Sequence, residues 1–125
     1  MRIFKTKFFA KFALREDISD ASLAEAVKRA GEGEGLVDAN LGGGIIKQRV
    51  ARKGQGRSGG FRTLIAYRLG DFAVFLFGYA KSERANISDD ELSGLQIIAR
   101  QWLGDERKLN KDLAAGILIE VKHES

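Results

Sequence analysis

Residues 72–79, FAVFLFGY, are apolar at nearly every position, which is the pattern of a central strand covered on both faces rather than of a half-exposed strand. The longest apolar runs of the chain fall far short of the roughly 20 residues that a membrane-crossing helix needs, so this strand belongs in the core of a folded domain. With 125 residues there is room for one such core, because dividing the chain would leave each half near the lower limit for burying its own interior. Residues 1–125 are therefore read as a single domain. Apolar residues at 44%, charged residues at 30% and the absence of proline fit a folded soluble protein, not a disordered or collagen-like chain. The start, MRIFKTKFFAKF, has lysines interrupting its phenylalanines, unlike the apolar region of a secretory signal. A cytoplasmic protein without a membrane partner is expected.

Two further strands precede the apolar one. Residues 45–51 lack a helical stripe and favour a strand, with Lys47 and Arg49 on one face by the period of two. After a loop over residues 53–60, Phe61, Thr63, Ile65 and Tyr67 alternate with Arg62, Leu64, Ala66 and Arg68. Leu69, Gly70 and Asp71 form a tight turn into residues 72–79, which makes an antiparallel meander of three strands. Near the N-terminus a short strand over residues 2–4 leads to an amphipathic helix with Phe4, Phe8 and Phe12 as its stripe. A second helix follows, with Ser19 or Ser22 as N-cap, Glu25 completing a capping box with Ser22, and Leu23, Val27 and Ala30 facing the core. The two helices read as a hairpin. Ser88 and Glu91 form another capping box, which opens a helix whose stripe is Leu92, Leu95, Ala99, Trp102 and Leu103. A shorter helix over residues 105–115 and a last strand over 117–121 complete the chain. The expected class is α+β: an N-terminal helical hairpin packed on an antiparallel β-sheet, with C-terminal helices and a final strand.

The chain has no cysteine and a single histidine, His123, which excludes disulfide scaffolds, thiolate metal sites and thiol nucleophiles and argues against histidine-based triads. No metal site and no cofactor are expected. The net charge of +4 conceals an asymmetry. No Asp or Glu occurs between Asp38 and Asp71, an interval that holds Lys47, Arg49, Arg52, Lys53, Arg57, Arg62 and Arg68, so it carries +7 while the rest of the chain sums to −3. A concentrated basic segment on strands is an electrostatic footprint for a polyanion.

Gly54, Gly56 and Gly59 match the spacing G-x-G-x-x-G, but a dinucleotide site needs a helix next, and residues 61–68 are strand-like. A hairpin loop whose amides approach phosphate, with Lys53 and Arg57, is the better reading. Asn86-Ile87-Ser88 matches a glycosylation acceptor and carries no weight without a secretory signal. Asp89, Asp90 and Glu91 project in different directions from a helix start and are explained by capping. Tyr67 and Tyr79 each end a strand near basic residues, where an aromatic ring stacks on a base or packs on the strand edge. Lys81 and Arg84 follow the apolar strand directly, beside Glu83 in a connector that would otherwise be solvated. If the meander order holds, Lys47, Arg49, Arg62, Lys81 and Arg84 converge on one face.

The order of these segments after a helical hairpin, with GGFRTL at residues 59–64 and AKSER at 80–84, resembles the RelE/ParE toxin superfamily, specifically the RelE-like, HigB-related toxins of type II toxin–antitoxin modules. The resemblance implies an mRNA endonuclease that works in the ribosomal A site, with Lys47 and Arg49 as strand cations, Arg62 as phosphate-binding arginine, and Lys81 and Arg84 as the C-terminal pair. Arg52, Lys53, Arg57, Arg68, Tyr67 and Tyr79 are the further RNA-binding candidates. Ser82 stands where many such nucleases have an arginine, and Ile87 and Ser88 where many have a tyrosine, for which Tyr67 or Tyr79 is the substitute. The implied partners are the ribosome, mRNA and a cognate antitoxin, a small helix-turn-helix protein. Two other functions share the basic face: a ParE-like toxin that poisons gyrase, and a non-catalytic nucleic-acid-binding module.

Overall fold

The computed structural model describes residues 1–38, 40–52 and 56–123. In chain order the elements are β1 (Arg2–Thr6), α1 (Lys7–Arg15), α2 (Asp20–Gly31), β2 (Leu36–Asp38), β3 (Ile45–Arg52), β4 (Gly56–Arg68), β5 (Phe72–Ala80), α3 (Asp89–Leu103), α4 (Glu106–Ala114) and β6 (Leu118–Glu120). The strands form one sheet in the order β2-β3-β4-β5-β1-β6. The expected meander is its antiparallel centre, β3-β4-β5. β1 lies parallel to β5 and antiparallel to β6, so the sheet is mostly rather than wholly antiparallel. The intervening helices and strands between β1 and β5 supply the long connection that a parallel pair requires.

β5 is covered on both faces, as its apolar run requires. Ala73 and Phe75 join Phe9, Phe12, Leu23 and Val27 in the cluster under α1 and α2. Phe72, Val74 and Leu76 join Ala99, Trp102 and Leu109 in the cluster under α3 and α4. The N-terminal hairpin thus covers one face, and the C-terminal helices cover the other. Trp102 enters the second core without stranding its indole nitrogen, which donates to Asp112 Oδ2 at 2.8 Å, while Lys108 holds the other oxygen of that carboxylate at 3.1 Å.

Several local expectations are corrected. Thr6 caps α1 by accepting from the backbone N–H of Phe9 at 2.9 Å, so the helix begins at Lys7 and its buried stripe is Phe9, Phe12 and Ala13. Phe4 belongs to β1 and packs on the α3 side of the sheet, whereas Phe8 is 64% exposed. Ser19, not Ser22, caps α2; Leu23, Val27 and Ala30 face the core as expected. The expected loop over 53–60 is shorter, because β4 starts at Gly56, which pairs with Arg52. Apolar alternation is missing from that glycine-rich start, and the ladder to β3 holds it in place instead. Gly56 and Gly59 therefore lie in a strand, without the following helix that a dinucleotide fingerprint needs; Gly54 lies outside the described residues. The short edge strand β2 had no signal in the sequence.

Gly78 marks where α1 presses closest to the sheet. A Cβ built there would come within 2.5 Å of Phe12 Cε2, and burying a phenylalanine such as Phe12 contributes about 1.5–3 kcal/mol. Gly78→Ala should therefore destabilise the protein by about 1–3 kcal/mol through overpacking, read as a lower urea midpoint with unchanged slope. Adding Phe12→Leu should recover part of that loss.

Candidate functional site

The sheet face toward α3 changes character along its strands. Beneath the helix it is apolar, with Ile45 on β3, Leu64 and Ala66 on β4, and Val74 on β5. Two to four residues further on, the same face presents Lys47 and Arg49 on β3 and Arg62 on β4, by the period of two. On β5 this phase is reset. Leu64 pairs with Phe77 while Ile65 pairs with Phe75, so Leu76 is an extra residue, a β-bulge that puts Phe77 and Tyr79 on the α3 side. The register then aligns Arg49, Arg62 and Tyr79 as directly opposed residues of three adjacent strands. Neighbours of this kind lie about 4.5–5.5 Å apart at Cβ.

This row is electrostatically unbalanced. Arg62 is only 6% exposed, and no carboxylate among the described residues pairs with it; burial first, and then the like charge of Arg49, push its pKa down. Arg62 Nη1, Arg49 Nε and the hydroxyl of Tyr79 are all buried with no hydrogen-bond partner. Unsatisfied buried polar groups are rare in folded proteins and costly when charged. Three of them fall in this one row, whose net charge is positive; the others among the described residues belong to Arg29 and Gln48. Tyr79 is 4% exposed; burial raises its pKa against the opposing pull of Arg62 and Arg84, so the phenol keeps its proton at neutral pH. Lys47, also buried, donates from Nζ to Asn86 Oδ1 at 2.7 Å. Its pKa is lowered chiefly by burial and further by Arg62, against the pull of Asp38, its neighbour on β2.

The connector after β5 closes the site. Arg84 makes a bidentate ion pair with Glu91, through Nη2 to Oε1 at 2.6 Å and Nη1 to Oε2 at 3.1 Å. Its guanidinium lies 5.6 Å from the ring centre of Tyr79 and 5.9 Å from that of Phe77. Glu91 is at the same time the third residue of α3 in a complete capping box with Ser88. The Arg84 hydrogen bonds, followed by those from Ser88, push the Glu91 carboxyl down to about 2.

Of the residues that the sequence pointed to, Lys47, Arg49, Arg62, Tyr79 and Arg84 are brought together. Lys81 stands exposed in the turn after β5, and its side chain has no partner among the described residues; its backbone N–H reaches Gly60 at 3.4 Å. Arg68 shares the face of Arg62 but sits six residues away, about 20 Å along the strand, where it binds Asp71 and the carbonyl of Leu103. Tyr67 packs against the opposite cluster, under α2. Arg52 ends β3 and Arg57 stands at the start of β4, while Lys53 lies outside the described residues. Two participants were missed. Asn86 had signalled only a glycosylation acceptor, and Glu91 only a helix cap; the spacing of Arg84 to Glu91 across a helix start was the available clue.

The family model described as "RelE toxin of RelE / RelB toxin-antitoxin system" matches residues 1–121, nearly the whole chain. No curated protein matches it.

An unpaired buried cation costs stability that only a bound anion recovers. Arg62→Met should therefore raise the stability of the free protein by about 0.5–2 kcal/mol, measured as a higher thermal midpoint. It should also remove the further stabilisation that added phosphate gives the wild type.

Proposed function

This chain belongs to the family of RelE toxins of RelE / RelB toxin–antitoxin systems, and from that membership and the chemistry of the cationic row we propose that it is an endoribonuclease that cleaves mRNA on the ribosome. The observation that carries the reading is the row itself: Arg49, Arg62 and Tyr79 in register, with buried donors that no group among the described residues satisfies.

Cleavage of RNA by its own 2′-hydroxyl needs three things: an acceptor for the hydroxyl proton, stabilisation of charge on the pentacoordinate phosphorus, and a proton for the departing 5′ oxygen. Arg62 and Arg49 present forked, charged donors to the non-bridging oxygens. They supply the positive charge that the step requires, so the reaction does not call for a metal. Lys47, with its pKa lowered by burial and by Arg62, is the acceptor for the 2′-OH proton. Tyr79 retains its proton and lies opposite Arg62, suited to donate to the leaving oxygen. The bond from the 2′ oxygen to phosphorus forms as the bond to the 5′ oxygen breaks, leaving a 2′,3′-cyclic phosphate and a 5′-hydroxyl. Lys81, and Arg52, Lys53 and Arg57 near the β3–β4 connection, are the candidates for flanking phosphates.

Dependence on the 2′-OH makes RNA the substrate and DNA an inert competitor. The ribosome presents the single strand, and the antitoxin, on this reading a small helix-turn-helix protein, blocks access to the row. Action on ribosomes places the protein in the cytoplasm; no helix among the described residues is long and apolar enough to cross a membrane.

Induction of the wild type should produce new 5′ transcript ends within translated regions, and Arg62→Ala should reduce them by roughly 10²–10³-fold. Equal cleavage by the two proteins defeats the assignment. A DNA-damage response with intact transcripts would mark a gyrase poison instead, and salt-sensitive binding without cleavage on translating ribosomes would mark a plain binding module. The cleavage rate should also climb with pH as Lys47 loses its proton, because only the neutral amine accepts one. Lys47→Met should remove that rising limb together with most of the rate.

A further inference from the structure

The guanidinium of Arg84 is engaged by the protein itself. Each nitrogen of its guanidinium already has a protein acceptor: Nε donates to the carbonyl of Asn86 at 3.0 Å, Nη1 to Glu91 Oε2 at 3.1 Å and Nη2 to Glu91 Oε1 at 2.6 Å. Its Cζ lies over the rings of Tyr79 and Phe77. Asn86 works in two directions. Its backbone oxygen receives Arg84, and its side-chain oxygen receives both Lys47 Nζ at 2.7 Å and the N–H of Ile87 at 2.8 Å. Glu91 is fixed in turn, since Oε1 also accepts from the N–H of Ser88 at 2.9 Å and Ser88 Oγ accepts from the N–H of Glu91 at 3.1 Å.

We infer that residues 84–91 are a brace, in which Glu91 at the first turn of α3 anchors Arg84, Arg84 holds Tyr79 against Arg62, and Asn86 aims the ammonium of Lys47. Arg84, Asn86 and Glu91 are then positioning residues, and the scissile phosphate is left to Arg49 and Arg62. The inference rests on the proposed nuclease reading of the row and assigns its geometry to the start of a helix outside the sheet. It accounts for three features that RNA binding leaves unexplained: an ion pair in a site otherwise short of carboxylates among the described residues, a cation lying over the phenol, and a capping glutamate both of whose oxygens bind Arg84. A chain that used Arg84 on phosphate would gain nothing from a carboxylate that competes for it at 2.6 Å.

The substitution Glu91→Gln separates the two roles, because glutamine at this position still completes a capping box while the bidentate charge pair to Arg84 is lost. If the brace operates, E91Q lowers the single-turnover rate on ribosome-bound mRNA roughly 10- to 100-fold through misplacement of the reacting groups. KM and the salt dependence of RNA binding stay unchanged. Asn86→Ala and Arg84→Ala act in the same way, and E91Q/R84A is no worse than R84A alone. If Glu91 merely withholds Arg84 from RNA, E91Q binds RNA more tightly, with a salt slope steeper by about 0.7, and cleaves at least as fast as the wild type; that result overturns the inference. A second readout needs no cleavage. In NMR spectra of the folded protein, E91Q should shift the ring signals of Tyr79 and the side-chain signals of Lys47, while urea unfolding stays close to wild type. Unmoved Tyr79 and Lys47 signals overturn the brace even where the wild type proves inactive on ribosomes, an outcome that by itself would overturn only the nuclease reading.

Discussion

Leu64 pairs with Phe77 and Ile65 with Phe75, so Leu76 is one residue more than β4 can match, and every β5 side chain beyond it is turned over relative to a regular strand. Without that insertion Tyr79 would point toward α1 and Gly78 would stand opposite Arg62. With it, the glycine meets Phe12, where a Cβ would collide with the ring, and the tyrosine completes the cationic row. One local distortion thus fixes both how closely α1 docks and which side of the sheet carries the polar chemistry. Its position at the centre of the sheet, between β4 and β1, leaves the bulge little freedom to slide, since a one-residue slip would expel Phe75 from one core and Leu76 from the other.

The row is maintained against its own electrostatics. Arg49 and Arg62 are directly opposite like charges, a pairing that destabilises a sheet, and burial adds a desolvation cost that no carboxylate among the described residues offsets. The apolar half of the same strands supports this strained half. Ile45, Leu64, Ala66 and Val74 are buried with Trp102 and Ala99, so the backbone that carries the cations is set by packing a few residues away, not by contacts among the cations. Unsatisfied groups held by a rigid scaffold are preorganised for a ligand, since little reorganisation accompanies binding.

Much of this was legible in the sequence where the signal was local or strictly periodic. The period of two put Lys47 and Arg49 on one face, and the meander brought Arg62 alongside them. The capping box of Ser88 and Glu91 was readable because all of its parts fall within four residues. The same alternation also placed Tyr67 with Phe61, Thr63 and Ile65, opposite Arg62, and that is where the structure has it. What was not legible has a physical reason in each case. A bulge leaves no trace in FAVFLFGY, because a strand apolar on both faces has no alternation to interrupt. The aromatic stripe of α1 was misphased because Phe4 lies before the Thr6 cap, and counting from it carried the pattern onto exposed Phe8. Arg84 has Glu83 as its neighbour in sequence, whereas its partner in space is Glu91, which the turn of the chain into α3 brings within 2.6 Å.

The acidic start of α3 shows how one set of side chains serves two levels of structure. Asp89, Asp90 and Glu91 oppose the positive end of the helix dipole, which explains their charge but not the orientation of Glu91. Its carboxylate returns over the N-cap, where Oε1 accepts from the N–H of Ser88 and from Arg84 Nη2, and Oε2 accepts from Arg84 Nη1. Arg84 meets both oxygens through its planar fork and lies over the ring of Tyr79. A lysine at position 84 could neutralise Glu91 but could not carry the orientation, because an ammonium on a flexible stem has no plane to align. Strand register therefore sets the row, and the pair of Arg84 with Glu91 links it to a helix cap, so α3 is joined to the row through a residue that is not its own.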